Sequence, residues 1–404
     1  MNPDRTLKVR PLPPSPQVPL EELDARLSRV RKEMERAHID VVVLSDLKNI
    51  QYFTDYRTLS VAYKSRPSFV VITQDQLHVV GCPSEVKIME SAPRRYSVIS
   101  YNGYISEAVD AVAERIRSGA ASGRQRIAID YGQEMLGRGS LRMLDRLKEL
   151  ASDGVVQTAV DLLFRVRMIK TPFEAAMKRT AMSIVNDAFD QVIAQAYIGI
   201  TEFELSRMLQ AQIHLNGAES ADNIPMLFSD GDFVYGIRPS ERRLREGHYI
   251  WTDNNATYGG YPADRNRIAR CGGPQNWEIE TYKRTRSLTI EVAKSFKPGL
   301  RCRDVYNNFL RLWKDADLGE LYGHVSRIGH GGGLDITEPP SVSASDDTLI
   351  LPGMIFHVEP KLEKNGAIFQ FEEVIYVREN GVEFISELSP DELPIVPAWP
   401  KKSA

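Results

Sequence analysis

Two aspartates separated by a glycine turn are the residues in this chain best suited to chemistry. Asp253 and Asp264 flank Gly259-Gly260, and the apolar run Tyr249-Ile-Trp251 precedes the first of them. We interpret that run as a buried strand, and Tyr261 to Arg270 as the strand that returns from the turn. A hairpin of this length can bring both carboxylates to one point. Hard divalent cations prefer such oxygen ligands, so the pair predicts a metal site.

Three further residues in the C-terminal half complete a set of metal ligands. His330 lies in a glycine-rich segment, Glu359 ends a predicted strand, and Glu372 lies inside another predicted strand. With the two aspartates they form the ligand set of a dinuclear site that activates a bridging water. The alternative is a decayed site whose carboxylates are neutralised by Arg265 or Arg267. Carboxylates forced together repel unless a cation compensates them, which favours bound metal.

The composition is typical of a soluble globular protein. Charged residues make up 26% and hydrophobic residues 42% of 404 positions, and the formal net charge of -3 gives no indication of nucleic-acid or membrane binding. Cys82, Cys271 and Cys302 have no paired spacing, so we expect reduced thiols and a cytoplasmic location. No apolar run approaches the roughly 18 residues of a membrane span, and we expect no signal peptide.

Elements that would position these residues fall into two predicted domains. After a proline-rich arm over 1–19, strands alternate with helices over 20–165, which predicts an α/β domain with a mixed sheet. Residues Val160 to Lys170 are predicted to be a connection, and Thr171-Pro172 caps the first helix of a second domain over 166–404. The elements predicted for the first domain are a helix over Leu20 to Ala37, a strand over Val41 to Leu44, a helix start at Asn49, a hairpin from Ser68 to Val80, a helix over Ile105 to Arg117, a strand over Ile127 to Asp130 and a helix over Ser140 to Leu150.

The second domain repeats one arrangement twice. A long helix beginning at Glu174 is followed by a helix over Glu202 to Leu215, and a long helix beginning at Glu278 is followed by one over Arg303 to Asp315. Strands that carry acidic residues follow each pair. This pattern predicts an internal pseudo-twofold, with a ligand site where the two halves meet.

The chain resembles the pita-bread metallohydrolases, the family of methionine aminopeptidase, aminopeptidase P, prolidase, creatinase and dimethylsulfoniopropionate lyase. Asp253 matches the first, chelating aspartate and Asp264 the bridging one. His330 matches the lone histidine ligand, Glu359 the glutamate after the glycine-rich segment, and Glu372 the last, bridging glutamate. The resemblance implies an α/β (α+β) fold with a creatinase-like N-terminal domain and a pita-bread catalytic domain. It also implies two divalent metal ions, for which Mn, Fe, Co and Zn all fit, and a homodimer.

Two histidines that bind substrate and shuttle protons in peptidases of this family are missing. Gly236 stands about seventeen residues before the first aspartate, and Thr337 stands seven residues after the ligand histidine. We expect Thr337 to contact substrate in the histidine's place. The lyase is no closer match, because Asn255 replaces an aspartate of its pattern and its catalytic aspartate falls at Ile336, beside Asp335. The chain therefore keeps the metal ligands but lacks the two histidines that usually accompany them in peptidases.

Several other residues are candidates for substrate contact or proton transfer. Tyr235 and Arg238 precede the metal strand by a loop, and a guanidinium suits a substrate carboxylate because it binds bidentately. His324 is a candidate for substrate contact, with a solvated or core histidine as the alternative. Asp335 is either a base or a helix-cap residue. His357 shares a strand face with the glutamate ligand that follows it, which suits packing or support of that ligand.

Three functions compete on this evidence. The first is hydrolysis of a small amide or dipeptide-like substrate, such as an Xaa-Pro peptide, by a metal-bridging water with Glu359 as the proton shuttle. The second is elimination of the dimethylsulfoniopropionate-lyase type, with Asp335, Tyr235 or Glu359 as the base. The third is a binding module, which would have little reason to keep five ligands. We expect a hydrolase that acts on a small molecule or short peptide, without nucleic-acid or membrane partners.

Overall fold

The computed structural model describes residues 12, 14–62, 66–91, 96–119, 125–131, 140–221, 224–231, 233–321 and 326–397. The chain divides into two compact units. One comprises residues 16–167, and the other comprises the described residues from 168 onward together with 12, 14 and 15. The predicted boundary between 165 and 166 lies two residues before this division. Most of the predicted arm lies outside the described residues.

The first unit is built on one mixed six-stranded sheet. Its elements are α1 (Leu20–Arg36), β1 (Val41–Leu44), α2 (Leu47–Thr54), a short 3-10 helix (Leu59–Ala62), β2 (Phe69–Ile72), β3 (Leu77–Gly81), α3 (Pro83–Ser91), β4 (Ser97–Ser100), α4 (Ile105–Gly119), β5 (Gln125–Ile129), α5 (Leu141–Leu150), β6 (Ala151–Thr158) and α6 (Val160–Arg167). The strand order is β4-β3-β2-β1-β5-β6. β2 is antiparallel to β1 and β3, and the other neighbours are parallel, so the predicted mixed sheet is confirmed.

One local prediction for this unit is wrong and another needs its start moved. The connection predicted over Val160 to Lys170 is largely helical, because Leu162, Leu163 and Val166 recur at helical spacing and bury one face of α6. The helix predicted around Asn49 is confirmed, and its first residue is Leu47. Its start is fixed by Asp46, whose carboxylate accepts hydrogen bonds from the first free backbone N–H groups of α2.

The second unit contains two helix pairs, each followed by strands. Its elements are α7 (Pro172–Ile193), α8 (Glu202–Leu215), β7 (Met226–Ser229), β8 (Tyr249–Tyr258), β9 (Tyr261–Cys271), α9 (Asn276–Lys294), α10 (Cys302–Asp315), β10 (Arg327–Gly331), β11 (Glu338–Ser343), β12 (Ile355–Val358), β13 (Lys361–Lys364), β14 (Ala367–Gln370), β15 (Glu373–Arg378), β16 (Gly381–Phe384) and β17 (Ile395–Val396). This is the order of elements that the sequence repeat predicts. Among the described helices of the chain, none is long and apolar enough to cross a bilayer.

Three sheets hold the strands of the second unit. One has the order β11-β10-β12-β15-β16, another β17-β9-β8-β7, and β13 pairs with β14 alone. Trp251 of β8, Phe356 of β12 and Phe369 of β14 belong to one buried apolar cluster. The strands that carry the candidate ligands are therefore anchored in a common core, which restricts the movement of the side chains beside it.

The strand predicted around Glu372 is interrupted. β14 ends at Gln370 and pairs with β13, whereas β15 begins at Glu373 and pairs with β12. The chain thus changes sheets at Phe371 and Glu372, and the prediction that Glu372 lies inside a strand is wrong. This change leaves the Glu372 side chain beside the β8–β9 hairpin, where its Oε2 accepts a hydrogen bond of 2.6 Å from the Asn266 backbone N–H.

Candidate metal centre

The β8–β9 hairpin brings the two aspartates together, as predicted. Gly259 and Gly260 form its two-residue turn, and both have positive φ, at 63° and 80°, a conformation in which glycine carries no steric cost. Asp253 lies opposite Asn266, two places along from Asp264. The aspartates are therefore diagonal neighbours on one face of the hairpin, and their carboxyl groups are in hydrogen-bonding contact.

His330 and Glu359 approach the aspartates from the neighbouring sheet. The Nε2 atom of His330 lies 3.4 Å from Oδ2 of Asp264 and 3.5 Å from Oε1 of Glu359. Its Nδ1 atom lies 2.9 Å from the Gly331 carbonyl oxygen. Because a carbonyl only accepts hydrogen bonds, Nδ1 carries the proton and the lone pair of Nε2 faces the carboxylates. Burial lowers the pKa of His330, which favours this neutral form.

Glu372 is the last of the predicted ligands, and its carboxylate contacts the His357 ring. Oε1 of Glu372 lies 2.6 Å from Nδ1 of His357, and the rings of His357 and His330 stack with centroids 5.0 Å apart. Asp264, His330, His357 and Glu372 each offer a ligand atom, and these atoms all lie within 4.8 Å of one another. The contact with Glu372 gives His357 a supporting position beside the predicted ligands.

Burial destabilises the charged forms of the four carboxyl groups, and neighbouring carboxylates add to this effect for Asp253, Glu359 and Glu372. Burial, followed by the neighbouring charge of Asp264, raises the pKa of Asp253. Burial and then the charges of Asp264, Asp253 and Glu359 raise the pKa of Glu372 well above its usual value. Oδ1 of Asp253 is buried without a hydrogen-bond donor among the described residues. An orphaned acceptor within a cluster of mutually repelling carboxylates is the environment that a divalent cation compensates.

One buried lysine supplies part of the missing positive charge. Lys178 of α7 is fully buried, and its Nζ atom donates to the Pro262 carbonyl oxygen at 2.9 Å. Burial lowers the pKa of Lys178 to about 8, against the opposing effect of Asp264 and Glu338. The charges of Lys361 and Arg327 also act on Asp253 and Asp264. Three cations still do not balance four carboxylates, so the donor set fits bound metal.

The arginines of the decayed-site alternative have other partners. Arg265 hydrogen-bonds the Glu373 carboxylate at 3.1 Å and the Ser386 hydroxyl at 2.9 Å. Arg267 donates to the Asn186 side-chain oxygen at 2.8 Å. Within the described ranges, neither arginine forms an ion pair with a carboxylate of the candidate centre. The geometry therefore favours the metal site over the decayed one.

A cavity of about 110 Å³ opens beside Glu359. Among the residues that line it are Tyr235, Arg327, Lys361 and Gln370. The ring of Tyr235 is half exposed, while its hydroxyl donates to Oδ2 of Asp253 at 3.1 Å. Burial of that hydroxyl and the charges of Asp253 and Glu359 raise the pKa of Tyr235, so the phenol keeps its proton.

A chain of hydrogen bonds orients Glu359. The indole N–H of Trp251 donates to Oε1 of Gln370 at 2.9 Å, and Nε2 of Gln370 donates to Oε2 of Glu359 at 3.2 Å. Trp251 is fully buried, so this chain fixes the glutamate to the rigid core. Oε1 of Glu359 remains directed towards His330.

Other predicted residues lie elsewhere. Arg238 and Thr337 are exposed, and Asp335 is partly buried, with its backbone N–H donating to Glu338 at 3.1 Å. None of these three is among the described residues that line the cavity. His324 lies outside the described residues. The geometry brings Tyr235 to the centre and leaves the roles of the other four residues as predictions.

Sequence reasoning missed three residues of the cavity wall. Lys361 follows Glu359 by two residues and Gln370 precedes Glu372 by two, so period-two alternation in an extended chain could have placed them beside those ligands. Arg327 has no such indication, because its position beside Glu359 depends on the pairing of β10 with β12.

Two protein-family models match the chain. The family model of metallopeptidase family M24 matches residues 176–379, and that of the creatinase/prolidase N-terminal domain matches residues 26–169. The chain belongs to metallopeptidase family M24. The candidate centre of this M24 protein lies entirely within the matched range, from Asp253 to Glu372.

Relatives of this M24 protein span nearly its full length. The Xaa-Pro dipeptidase of Pyrococcus furiosus is 24% identical over 368 residues, covering 90% of this chain and 97% of the relative. Among solved structures, the Xaa-Pro dipeptidase from Bacillus anthracis has a TM-score of 0.79 at 24% identity, covering 92% of this chain and 99% of that one. The X-Pro aminopeptidase from Thermotoga maritima has a TM-score of 0.76 at 21% identity, with the same coverage. The predicted fold, a creatinase-like N-terminal domain followed by a pita-bread catalytic domain, is confirmed.

Proposed function

We propose that this M24 protein is a metal-dependent hydrolase of small amides or dipeptide-like substrates, with Xaa-Pro peptides as the first candidates. The observation that carries the proposal is the cluster of carboxyl groups beside His330, in which Asp264, His330 and Glu372 offer ligand atoms within 4.8 Å of one another. The ligand set consists of Asp253, Asp264, His330, Glu359 and Glu372. The names of the relatives, Xaa-Pro dipeptidase and X-Pro aminopeptidase, support the substrate class.

Two divalent ions, of Mn, Fe, Co or Zn, are the cofactors we propose. Asp264 and Glu372 would both help to hold them, since their carboxylates lie with His330 in the group of ligand atoms within 4.8 Å of one another. When bound, such ions lower the pKa of a shared water and polarise the scissile carbonyl.

We also propose a homodimer, on the family resemblance. A solution mass of twice 45.6 kDa by light scattering is the expected result, and a single-chain mass would contradict it.

Glu359 is the residue we assign to proton transfer. Nε2 of Gln370 donates a hydrogen bond to Oε2 of Glu359, and Glu359 lines the cavity. Burial raises the pKa of the Glu359 carboxyl, so it takes up a proton more readily than an exposed glutamate. The proton that leaves the attacking water passes to Glu359 and then to the leaving nitrogen. One carboxyl therefore serves as acceptor and donor in turn, without the two histidines that are replaced by Gly236 and Thr337.

Tyr235 is assigned to substrate orientation rather than to base catalysis. Its raised pKa keeps the hydroxyl protonated, and the hydroxyl already donates to Asp253 at the cavity wall. A protonated phenol in this position can donate a hydrogen bond to a substrate oxygen. It is a poor proton acceptor, which argues against the Tyr235 base considered for elimination.

Elimination by a lyase mechanism is the second candidate, and the positions of the missing histidines favour it. Gly236 lies in an exposed turn and has no side chain, and Thr337 is exposed. Neither residue supplies the titratable imidazole that shuttles a proton. Of the bases predicted for elimination, Glu359 lines the cavity, whereas Asp335 is not among its described lining residues. Glu359 is therefore the base that elimination would use.

Product analysis separates the two candidates. The purified protein is stripped of metal, restored with Mn²⁺, Co²⁺ or Zn²⁺, and given Xaa-Pro dipeptides and dimethylsulfoniopropionate in parallel. Release of proline by the restored protein, and not by Asp264→Asn, is the expected result. An unsaturated acid from dimethylsulfoniopropionate would establish elimination instead. Bound metal without either product would contradict the substrate class, and failure to bind any metal would refute the proposal.

A further inference from the structure

A second cavity, of about 430 Å³, lies within the N-terminal unit. Leu47, just after β1, and Cys82, just after β3, are among its lining residues, so it opens where these two strands end. In open α/β sheets this end of the strands is the usual place for a ligand. None of the candidate metal ligands belongs to this unit. This N-terminal cavity is therefore built without any residue of the metal centre.

We propose that the N-terminal cavity binds the ammonium group of a small organic amine, and that Glu85 is the residue that recognises it. Glu85 lies in the first turn of α3 and lines the cavity. The inference goes beyond the proposed function and does not depend on it, because neither a metal ligand nor a step of hydrolysis takes part.

The carboxylate of Glu85 is buried, held in one orientation and ionised. The Tyr56 hydroxyl donates to its Oε2 atom at 2.6 Å, and the Ser60 hydroxyl donates to its Oε1 atom at 2.7 Å. Burial raises the pKa of Glu85, but hydrogen bonds from Tyr56, Ser60 and Thr58 outweigh it, so that the pKa lies below its usual value. The side chain is therefore an anion at neutral pH.

This negative charge has no counter-ion within the described ranges. No lysine, arginine or histidine there forms an ion pair with Glu85, and its pKa shift is attributed to burial and hydroxyl groups alone. Hydroxyl groups and the start of a helix stabilise an anion as dipoles without neutralising it. A carboxylate has about four acceptor positions, and three hydroxyl donors leave one for an ammonium N–H. Because buried charges are normally paired, Glu85 is suited to a cation that enters the cavity.

Arg66 lines the same cavity but does not neutralise Glu85. Its side chain is exposed, and its guanidinium lies 5.4 Å from the ring centroid of Tyr104. Its charge acts on Tyr101 and is not among the effects on Glu85, which places it away from the carboxylate. The contact with Tyr104 shows that an aromatic ring of this cavity attracts a cation. Arg66 is also the nearest competitor of an amine for Glu85, so its removal belongs to the test.

The volume of the cavity favours an organic cation over an inorganic one. About 430 Å³ is roughly the share of fourteen water molecules in the liquid, and it falls within the range of roughly 300 to 1,000 Å³ typical of small-molecule sites. A single metal ion would leave most of this space to water. An amine with an apolar body also contacts Leu47 and the rings of Tyr56 and Tyr104, which are lining residues.

Three small molecules of similar shape and different charge test the site. Phenethylamine is a cation at neutral pH, 2-phenylethanol is neutral and 3-phenylpropanoate is an anion; each is titrated calorimetrically into the purified, metal-free, full-length protein. We expect the amine to bind most tightly and the carboxylate least. Glu85→Gln keeps the shape of the side chain and removes its charge, so it should lower the affinity for the amine about tenfold. The matched control, Glu114→Gln on α4, removes an exposed glutamate of the same unit and should leave that affinity unchanged.

A further pair of variants changes the charge of the cavity without changing Glu85. Ser84 is an exposed lining residue, and Ser84→Lys supplies an internal ammonium group that competes for the carboxylate. The affinity for phenethylamine should fall about tenfold in Ser84→Lys and less in Ser84→Met, which has a side chain of similar length without the charge. Arg66→Gln should not weaken amine binding. These variants decide the question where the melting temperature shows that Glu85→Gln does not fold.

Tighter binding of 3-phenylpropanoate than of phenethylamine would overturn the inference, and so would an unchanged amine affinity in both Glu85→Gln and Ser84→Lys. An equal fall in Glu114→Gln, or no detectable amine binding at millimolar concentration, would overturn it as well. Amine binding should persist in Asp264→Asn; its loss there would assign the amine to the metal centre and refute the N-terminal site. Amine binding without proline release would refute only the proposed function, and proline release without amine binding would refute only this site.

Discussion

Replacing Asp264 with asparagine should remove metal binding and yet stabilise the metal-free protein. Burial and the charge of Asp264 raise the pKa of Asp253 to about 7, and burial raises that of Asp264 to about 6. The amide keeps the shape of the side chain but carries no negative charge. The substitution therefore removes the charge that raises the pKa of Asp253, and it also removes a ligand for the metal.

The size of the effect follows from the pKa of Asp253. An aspartate with a pKa of 3.8 in the unfolded chain and about 7 in the folded one loses on the order of 4 kcal/mol of stability as pH rises through that range. The sign is fixed because the folded state still holds a proton that the unfolded state has released. The stability is fully present below pH 4 and is lost by pH 7 to 8. Asp264→Asn should recover about 2 kcal/mol of it.

Urea unfolding at pH 5, 6, 7 and 8 measures this directly. The wild type, Asp264→Asn and an exposed control, Glu280→Gln, are all treated with chelator before unfolding. The wild-type midpoint should fall with rising pH, the Asp264→Asn midpoint should fall less, and the control should follow the wild type. Equal wild-type stability at pH 5 and pH 8, or an Asp264→Asn variant less stable than the wild type at pH 8, would refute the reasoning.

Three further predictions concern the residues around the centre. Gln370→Leu frees Glu359 from its donor, so kcat on an Xaa-Pro dipeptide should fall about tenfold with a smaller change in KM; unchanged kcat in steady-state assays would argue against the orienting role. Lys178→Met removes a cation beside the carboxylates, so calorimetry should show about tenfold tighter Mn²⁺ binding, and weaker binding would contradict this. Arg265→Met leaves the buried Glu373 carboxylate unpaired, which should cost about 3 to 5 kcal/mol of unfolding free energy. A loss below about 1 kcal/mol in the same urea assay would show that the pair is not important for stability.

The approach of Asp253 to Asp264 could be predicted from sequence because it depends on a local hairpin. Tyr249 to Asp253 and Tyr261 to Arg270 flank a Gly-Gly turn, and the structure has the expected hairpin. The glycine-rich segment of His330 and the strand before Glu359 are likewise local features. The start of α7 is a local feature as well. Thr171 and Pro172 predict it, and the capping box between Thr171 and Glu174 is present.

What the sequence could not provide depends on pairing between distant segments. Glu372 leaves one sheet for another, and no residue near it marks that change. Lys178 lies on the buried face of α7, and its ammonium group donates to the carbonyl oxygen of Pro262, which is more than eighty residues later in the sequence. Arg327 comes beside Glu359 only through the β10–β12 pairing. The helix at Val160 was missed for a different reason, since a short apolar run next to a domain boundary fits a connection equally well.

The central claim, that the converging carboxylates and His330 form a metal-dependent hydrolytic site, is tested most directly by proline release from an Xaa-Pro dipeptide before metal removal, after it, and after metal is restored. The predicted result is activity that disappears with the metal, returns with a divalent ion, and is absent from Asp264→Asn under all three conditions. Proline release that survives complete metal removal, or that persists in Asp264→Asn, would contradict the account.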